Sequence, residues 1–450
     1  MTSQTEDVSP ASPRLSLFPT VLSTVFLLVV CALFGWHFFT SSRLDAIPSP
    51  GRALALVASR TMDLENALTR APRWERFLYD GTDTRTDVLK QLIDWYHELN
   101  AHFPNLLSEV PLALLETEAG LERPLWRGMD PAMLGKLVRI LRPGWFYDRL
   151  IIKLANQSSN KALAVSIEKA AKVREDKFLF WNRVALSIDF TLLFLGAAAL
   201  FFMFSRPQEN CRIGTTFIPP SWQGFVGATI LIRSAATGML LGLAFAVVGA
   251  FFGMNDSQLS LLFELSLALP LMVMIRRHLL EPFGLRFSST LGLTLESKSW
   301  LLLGLAVLAG LGALEIGDWF LSVTGSILHI SSHWAEGFDP DMIWGRPLTV
   351  GLNLMVAVVV APLIEEILFR GLFFVALRRK FGWFLSAVFS SAVFASVHGY
   401  GLLGWADTFW SGMVWAWLYE RTRSLLPCYL THSTYNLLAS LAMLLLRVDA

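Results

Sequence analysis

Nine long apolar runs constrain this chain more than any other feature, since a helix needs about 20 consecutive apolar residues to cross the roughly 30 Å hydrocarbon core of a bilayer. The first extends from Leu17 to Phe39, and the others cover about 180–204, 224–252, 258–275, 299–322, 349–376, 383–400, 403–419 and 425–446. In hydrocarbon a backbone must satisfy its own polar groups, which for single segments means helix. The expected fold is all-α: a polytopic membrane bundle of about nine transmembrane helices. Composition agrees, with 54% of the 450 residues hydrophobic and 16% charged, against roughly 45–50% and 25% in soluble domains. An ordinary water-soluble enzyme is excluded. The first run is too long for a signal-peptide core and no small-x-small cleavage pattern comes after it, so it reads as a retained anchor.

Between the first two runs the character changes. Residues 40–178 hold 38 of the chain's 73 charged residues, 20 basic and 18 acidic, and read as a separate water-soluble domain. Within it Val88, Leu92, Trp95, Tyr96, Leu99 and Phe103 recur at helical spacing, so the domain is expected to be mostly helical. It contains no metal, phosphate or nucleophile motif, which favours a packed module that binds or positions something. The expected organisation is an anchor at 1–39, a soluble domain at 40–178, a second membrane helix and linker at 179–215, and a polytopic membrane domain at 216–450.

Charge then orients the bundle. Short connections near Arg206 and Arg212, near Arg276, Arg277 and Arg286, at Arg378, Arg379 and Lys380, and at Arg421 and Arg423 are basic, which places them in the cytoplasm. Threading the helices through these loops puts the N-terminus inside and the 40–178 domain outside. Over the whole chain 37 basic residues balance 36 acidic ones, so nothing points to nucleic acid. Cys31, Cys211 and Cys428 are too scattered for a disulfide framework or a metal pair.

Chemistry is sought where ionisable groups enter membrane helices, because each costs at least about 2.5–3.5 kcal/mol at the centre. One helix carries Glu365, Glu366 and Arg370; the next ends in Phe394-Ala395-Ser396-Val397-His398; the last holds His432-Ser433-Thr434-Tyr435-Asn436. Neighbours at i and i+4 share a face, so Glu366 is predicted to pair with Arg370 and leave Glu365 pointing elsewhere. His432 and Asn436 likewise share a face, and Phe394 lies one turn before His398. Counted at about 1.5 Å per residue, Glu365, His398, His432 and Asn436 fall in one central layer although their helices alternate in direction.

A carboxylate beside an imidazole orients and deprotonates water, and a histidine with an asparagine amide donates to the resulting oxyanion. No serine or cysteine is placed with a base at helical spacing, so water is the expected nucleophile of a peptide hydrolysis. The order Glu-Glu-x-x-x-Arg, Phe-x-x-x-His, His-x-x-x-Asn resembles the CPBP (CAAX protease and bacteriocin-processing, or Abi) intramembrane proteases, over roughly residues 220–446. The resemblance implies a glutamate-dependent endopeptidase in which Glu365 and His398 activate water and His432 and Asn436 form the oxyanion hole. Glu366, Arg370 and Phe394 would support them. No resident cofactor is expected; were a zinc ion used, Glu365, His398 and His432 would be its three ligands, although no HExxH motif is present.

Two other function classes stay open on the residues alone. A transporter or proton relay would also use buried carboxylates and histidines, but no repeat between the halves supports it. A non-catalytic immunity or scaffold protein would be favoured by loss of a catalytic residue, and none is lost. The expected partners are a membrane-associated or exported protein substrate and the lipid bilayer itself. The expected location is a bacterial inner membrane. Elsewhere, Arg233 and Glu264 are expected to form an ion pair between neighbouring helices, Glu315, Asp318 and Asp407 to lie toward water-accessible helix ends, and His329 to Trp344 to be a solvated external loop.

Overall fold

A computed structural model describes residues 16–80, 84–121, 141, 143–220, 222, 224–254, 256–294, 299–328 and 330–447; His329 lies outside them. The described residues form helices and connecting segments with no strand. In chain order the principal helices are α1 (Leu17–Thr40), α2 (Pro50–Leu68), α3 (Arg73–Asp80), α4 (Arg85–His102), α5 (Leu106–Glu118), α6 (Trp145–Gln157) and α7 (Lys161–Ser205). Then come α8 (Gly224–Phe252), α9 (Asp256–Ile275), α10 (Trp300–Leu328), α11 (Pro347–Leu377), α12 (Trp383–Ser396), α13 (Leu402–Thr422) and α14 (Leu425–Leu445).

Every apolar run of the sequence is helical. Among the described residues six helices, α1, α7, α8, α9 with its extension to Phe283, α10 and α11, are long and apolar enough to span a bilayer, and α12 is apolar but shorter. The protein is an integral membrane protein. Two helices fall outside the six for a chemical reason: α13 carries Asp407, Glu420 and Arg421, and α14 carries Thr431, His432, Ser433, Thr434 and Asn436. These polar residues lower hydropathy in the helices that build the candidate site.

The chain divides into two compact units. The first comprises the N-terminal segment to Thr40, Phe190–Leu321 and Arg346–Ala439. Close helix approach within it depends on small residues, because apolar side chains gain little by leaving lipid for each other. Gly238 and Gly242 of α8 face α9, where a Cβ on Gly242 would lie 2.6 Å from the Phe263 ring, and the Ser266 hydroxyl donates to the Gly238 carbonyl at 3.0 Å. On α10, a Cβ on Gly312 would lie 2.5 Å from the Gly196 Cα of α7.

That α8–α9 register overturns the expected Arg233–Glu264 pair. With Gly238 against Leu267 and Gly242 against Phe263, Arg233 stands opposite the neighbourhood of Met272, roughly 12 Å along the axis from Glu264. Arg233 instead turns to α1. Its Nε donates to the Thr20 hydroxyl at 3.0 Å and its Nη2 to the same oxygen at 2.8 Å, with a further bond to the Ser16 carbonyl.

The second unit comprises Ser41–Asp189, Ser322–Gly345 and the segment from Ser440. Its core joins Leu54 and Met62 of α2, Leu92, Tyr96 and Leu99 of α4, Leu115 of α5 and Phe146 and Leu150 of α6. The helical spacing of residues 88–103 thus marks a core-facing stripe. The segment read as a solvated loop is not one: Trp334, Phe338 and Ile343 are 8%, 9% and 2% exposed and belong to this same core. Its polar residues hold it there, with His333 Nε2 3.0 Å from Glu98 Oε2 and Asp339 accepting from the amides of Asp341 and Met342. Alternation of Trp, Phe, Met and Ile with these polar groups is what a packed irregular segment needs, and single-residue spacing does not distinguish it from solvent-facing loop.

A buried ionic network ties α2, α6 and α7. Arg174 donates to both oxygens of Asp63, at 3.0 and 2.9 Å, and to Asp148, while Arg60 reaches Asp63 at 3.4 Å. Burial pushes the Asp148 carboxyl up to about 6 and also raises Asp63, against the lowering effect of Arg174. Between its ordinary value of 3.8 and about 6, folded Asp148 retains a proton that the unfolded chain has released. Its contribution to stability is therefore greatest at low pH and declines as pH rises through that window. Hydrogen exchange of α2 and α6, corrected for intrinsic rates, is expected to show weaker protection at pH 7 than at pH 5. Asp148→Asn should flatten that difference, and an unchanged profile would contradict the assignment.

Candidate active site

Helix α11 departs twice from α geometry. It widens to π-helix at Val356–Val360 and again at Ile367–Phe374, leaving Ala361–Glu366 as a short α-helical turn between. Such π segments recur at functional sites because they change which side chains share a face. Glu365 and Glu366 close the turn, with different surroundings.

Glu366 is fully buried, and its Oε1 accepts from Arg370 Nη1 at 3.0 Å and from His432 Nδ1 at 3.0 Å. Arg370 also donates to the Gly412 carbonyl at 3.2 Å, and its guanidinium carbon lies 4.6 Å from the Phe394 ring centroid and 5.0 Å from that of Trp415. The i, i+4 pair expected from spacing is thus present at the start of the second π segment. A buried ion pair persists only with such secondary partners, since neither charge keeps its water. The second oxygen of Glu366, Oε2, is buried with no hydrogen-bond partner.

Glu365 points elsewhere. Its side chain is 24% exposed and its Oε2 lies 3.6 Å from His432 Nε2, a contact too long for a formed hydrogen bond. His432 therefore stands between the two carboxylates, one on each ring nitrogen. The Trp415 indole stacks on its imidazole at 3.8 Å with 16° between the planes, and the Phe394 ring meets it edge-on at 6.2 Å.

His398 lies in the turn just beyond the C-terminus of α12. Its Nδ1 is 2.7 Å from the Phe394 carbonyl, and since a carbonyl only accepts, this nitrogen carries the proton and Nε2 is bare in the neutral ring. The Phe394 ring is 4.7 Å from that of His398, so one buried phenyl packs against both imidazoles and the arginine. Asn436 Nδ2 donates to the Ala357 carbonyl at 2.8 Å, within the first π segment. That bond uses one amide hydrogen and orients the other.

All seven residues singled out in the sequence, Glu365, Glu366, Arg370, Phe394, His398, His432 and Asn436, occupy adjoining positions on α11, on α12 and the turn after it, and on α14. Trp415 and Gly412 of α13 were missed. Trp415 is 2% exposed, with its indole stacked on the His432 ring. A usable signal was the small pair Ser411-Gly412 one turn before it: a Cβ on Gly412 would lie 2.7 Å from Ser391 Oγ, so α13 approaches α12 closely enough to place an indole under the site. Nearby, the Tyr435 hydroxyl donates to Asp318 Oδ2 at 2.9 Å and lies 3.4 Å from Asp407 Oδ2, joining α14 to α10 and α13. Among the described residues no group of three or more His, Cys, Asp and Glu is arranged to hold a metal ion.

Comparison with known families finds one stretch that matches. Residues 347–438 match the Rce1-like family of type II CAAX prenyl endopeptidases. The resemblance drawn from the three motifs is borne out. The Rce1-like region contains all seven residues together with Trp415, and begins at the first residue of α11. Helix α1 and residues 41–189 lie outside it. No curated protein and no solved structure matches the chain.

Proposed function

We propose that the protein is an intramembrane endopeptidase that cleaves a membrane-associated or exported protein by direct attack of water. The observation that carries this reading is the placement of Glu365: it is the partly exposed member of the carboxylate pair, it faces His432 Nε2, and its neighbour Glu366 is neutralised by Arg370. A fixed structural pair beside a partly exposed carboxylate separates support from chemistry.

In the proposed mechanism Glu365, with the bare Nε2 of His398, orients a water molecule and takes its proton as the oxygen attacks the substrate carbonyl. Negative charge then develops on the carbonyl oxygen. The second amide hydrogen of Asn436 donates to it, and so does His432 when Nε2 carries a proton in addition to the one held between Nδ1 and Glu366. Glu365 returns its proton to the departing amine as the peptide C–N bond breaks. Trp415 and Phe394 fix the ring of His432, so that the donor is in position before charge appears.

The glutamic assignment, the residue roles and the orientation belong to this proposal. The basic connections support a cytoplasmic N-terminus and an extracytoplasmic 40–178 region, and an extracytoplasmic domain of this size fits a bacterial inner membrane. The test is mass spectrometry of new protein termini after incubating purified enzyme with candidate membrane proteins, alongside His398→Ala. Termini made by the wild type and absent with the folded variant are the expected result. Identical patterns on a substrate cleaved by the wild type would remove His398 from the mechanism, and cysteine labelling that places residues 40–178 in the cytoplasm would overturn the orientation.

A further inference from the structure

Helix α3 has two faces of opposite character. Glu75 is 5% exposed and Tyr79 packs with Ala67, Leu68 and Leu179, so one face is sealed against α2 and α7. The other presents Trp74 at 66%, Phe77 at 62% and Leu78 at 37% exposure. Two aromatic rings and a leucine side by side in water are unfavourable, and an apolar face of this kind on so short a helix marks a surface with a partner.

Helix α7 identifies the partner by position. A 20-residue stretch ending at Ser205 begins at Leu186 and spans about 30 Å, the thickness of the hydrocarbon core. One turn before it stands Arg183, whose Nε and Nη2 grip Glu75 of α3 at 2.5 and 2.9 Å. On the same turn of α7, Phe180 and Trp181 are 56% and 41% exposed, as aromatic residues are where a helix leaves the membrane. The ion pair therefore fixes α3 at the depth of this aromatic girdle, with Trp74 and Phe77 on either side of the gripping carboxylate. Exposed Arg73 at its start offers a cation to lipid phosphate.

We propose that α3 is an interfacial helix, with Trp74, Phe77 and Leu78 seated in the headgroup layer of the phospholipid bilayer that α7 crosses. The helix binds a lipid surface, and through the Glu75–Arg183 pair it fastens the extramembrane unit to that surface. Tryptophan suits such a layer because its ring is apolar and its N–H finds hydrogen bonds there. Helices of this design lie in the membrane plane with the apolar face buried roughly 5–10 Å into the boundary region. This inference is independent of the proposed chemistry.

The test uses the full-length protein in nanodiscs of phosphatidylcholine and phosphatidylglycerol, with Cys31→Ala removing the exposed native thiol. Nitroxide labels are attached at Phe77→Cys and separately at Trp74→Cys, and collision with oxygen and with a water-soluble nickel chelate is measured. Both labels are expected to resemble one at Phe180→Cys, with nickel access about fivefold below that of a label at exposed His102→Cys on α4. Nickel access at Phe77 and Trp74 equal to that at His102 would overturn the proposal. So would shielding that vanishes when each nanodisc holds a single copy, which would assign the face to a second chain. Because both substituted side chains are exposed, neither variant removes a core contact.

Discussion

Glu365→Gln is expected to lower the rate of peptide cleavage by about 10³-fold while leaving the protein folded. The substitution keeps the shape of the side chain and removes only its capacity to take and return a proton. Structurally it touches little, since Glu365 is partly exposed and its nearest ionic neighbour, His432 Nε2, is 3.6 Å away. Thermal unfolding in nanodiscs should therefore match the wild type. Turnover, measured by the appearance of the new terminus, should collapse in kcat more than in KM, because the lost interaction matters as the water attacks. A variant with undiminished kcat would remove Glu365 from the role of base and shift that role to His398, whose Nδ1 is held by the Phe394 carbonyl so that Nε2 is bare.

Arg370→Ala should fail in a different way. Glu366 and Arg370 are both within 1% of complete burial, and removing one member of a buried pair leaves an uncompensated charge, at a cost of about 3–5 kcal/mol. The loss also takes the guanidinium from its position over Phe394 and Trp415, and with it the packing that holds His432. Arg370→Ala is expected to unfold at markedly lower temperature or denaturant concentration, and to lose activity because less of it is folded. A double variant, Glu366→Gln with Arg370→Met, separates the two effects. With no orphaned charge it should recover much of the stability, yet remain slow, because His432 Nδ1 then donates to a neutral amide in place of a carboxylate. Full activity in the double variant would show that the pair serves only to close the helix packing.

The candidate site was legible because its chemistry is written in short spacings. Glu366 and Arg370 are four residues apart on one helix, and so are Phe394 and His398, and His432 and Asn436; local geometry alone brings each pair together. Depth then aligned the three pairs. What spacing could not convey was contact between distant helices. Trp415 reads as one more apolar residue until α13 closes on α12 at Gly412, and Arg233 seems destined for Glu264 until the glycine register of α8 and α9 moves them apart. The segment ending at Trp344 misled for the converse reason: its charges are local caps and ties, while its Trp, Phe and Ile fill a core assembled from the distant helices α2, α4, α5 and α6. The helical fold itself was plain from hydrophobic length, and α13 and α14 read less clearly as spans because they carry polar residues of the site and its surroundings.

The π-helical widening of α11 bears on how such a protein tolerates change over evolutionary time. Ala357, which receives Asn436, lies in the first widened segment, and the Glu366–Arg370 pair begins the second. A π turn accommodates an added residue within an otherwise continuous helix, and each residue gained or lost rotates the C-terminal remainder of the helix by about 100°. Side chains lining Val356–Val360 could drift among apolar types with little consequence. A single-codon insertion or deletion there would swing Ala357 and Glu365 out of alignment while sparing every motif residue, so the count of residues in this interval is as much a part of the site as the identity of its glutamates.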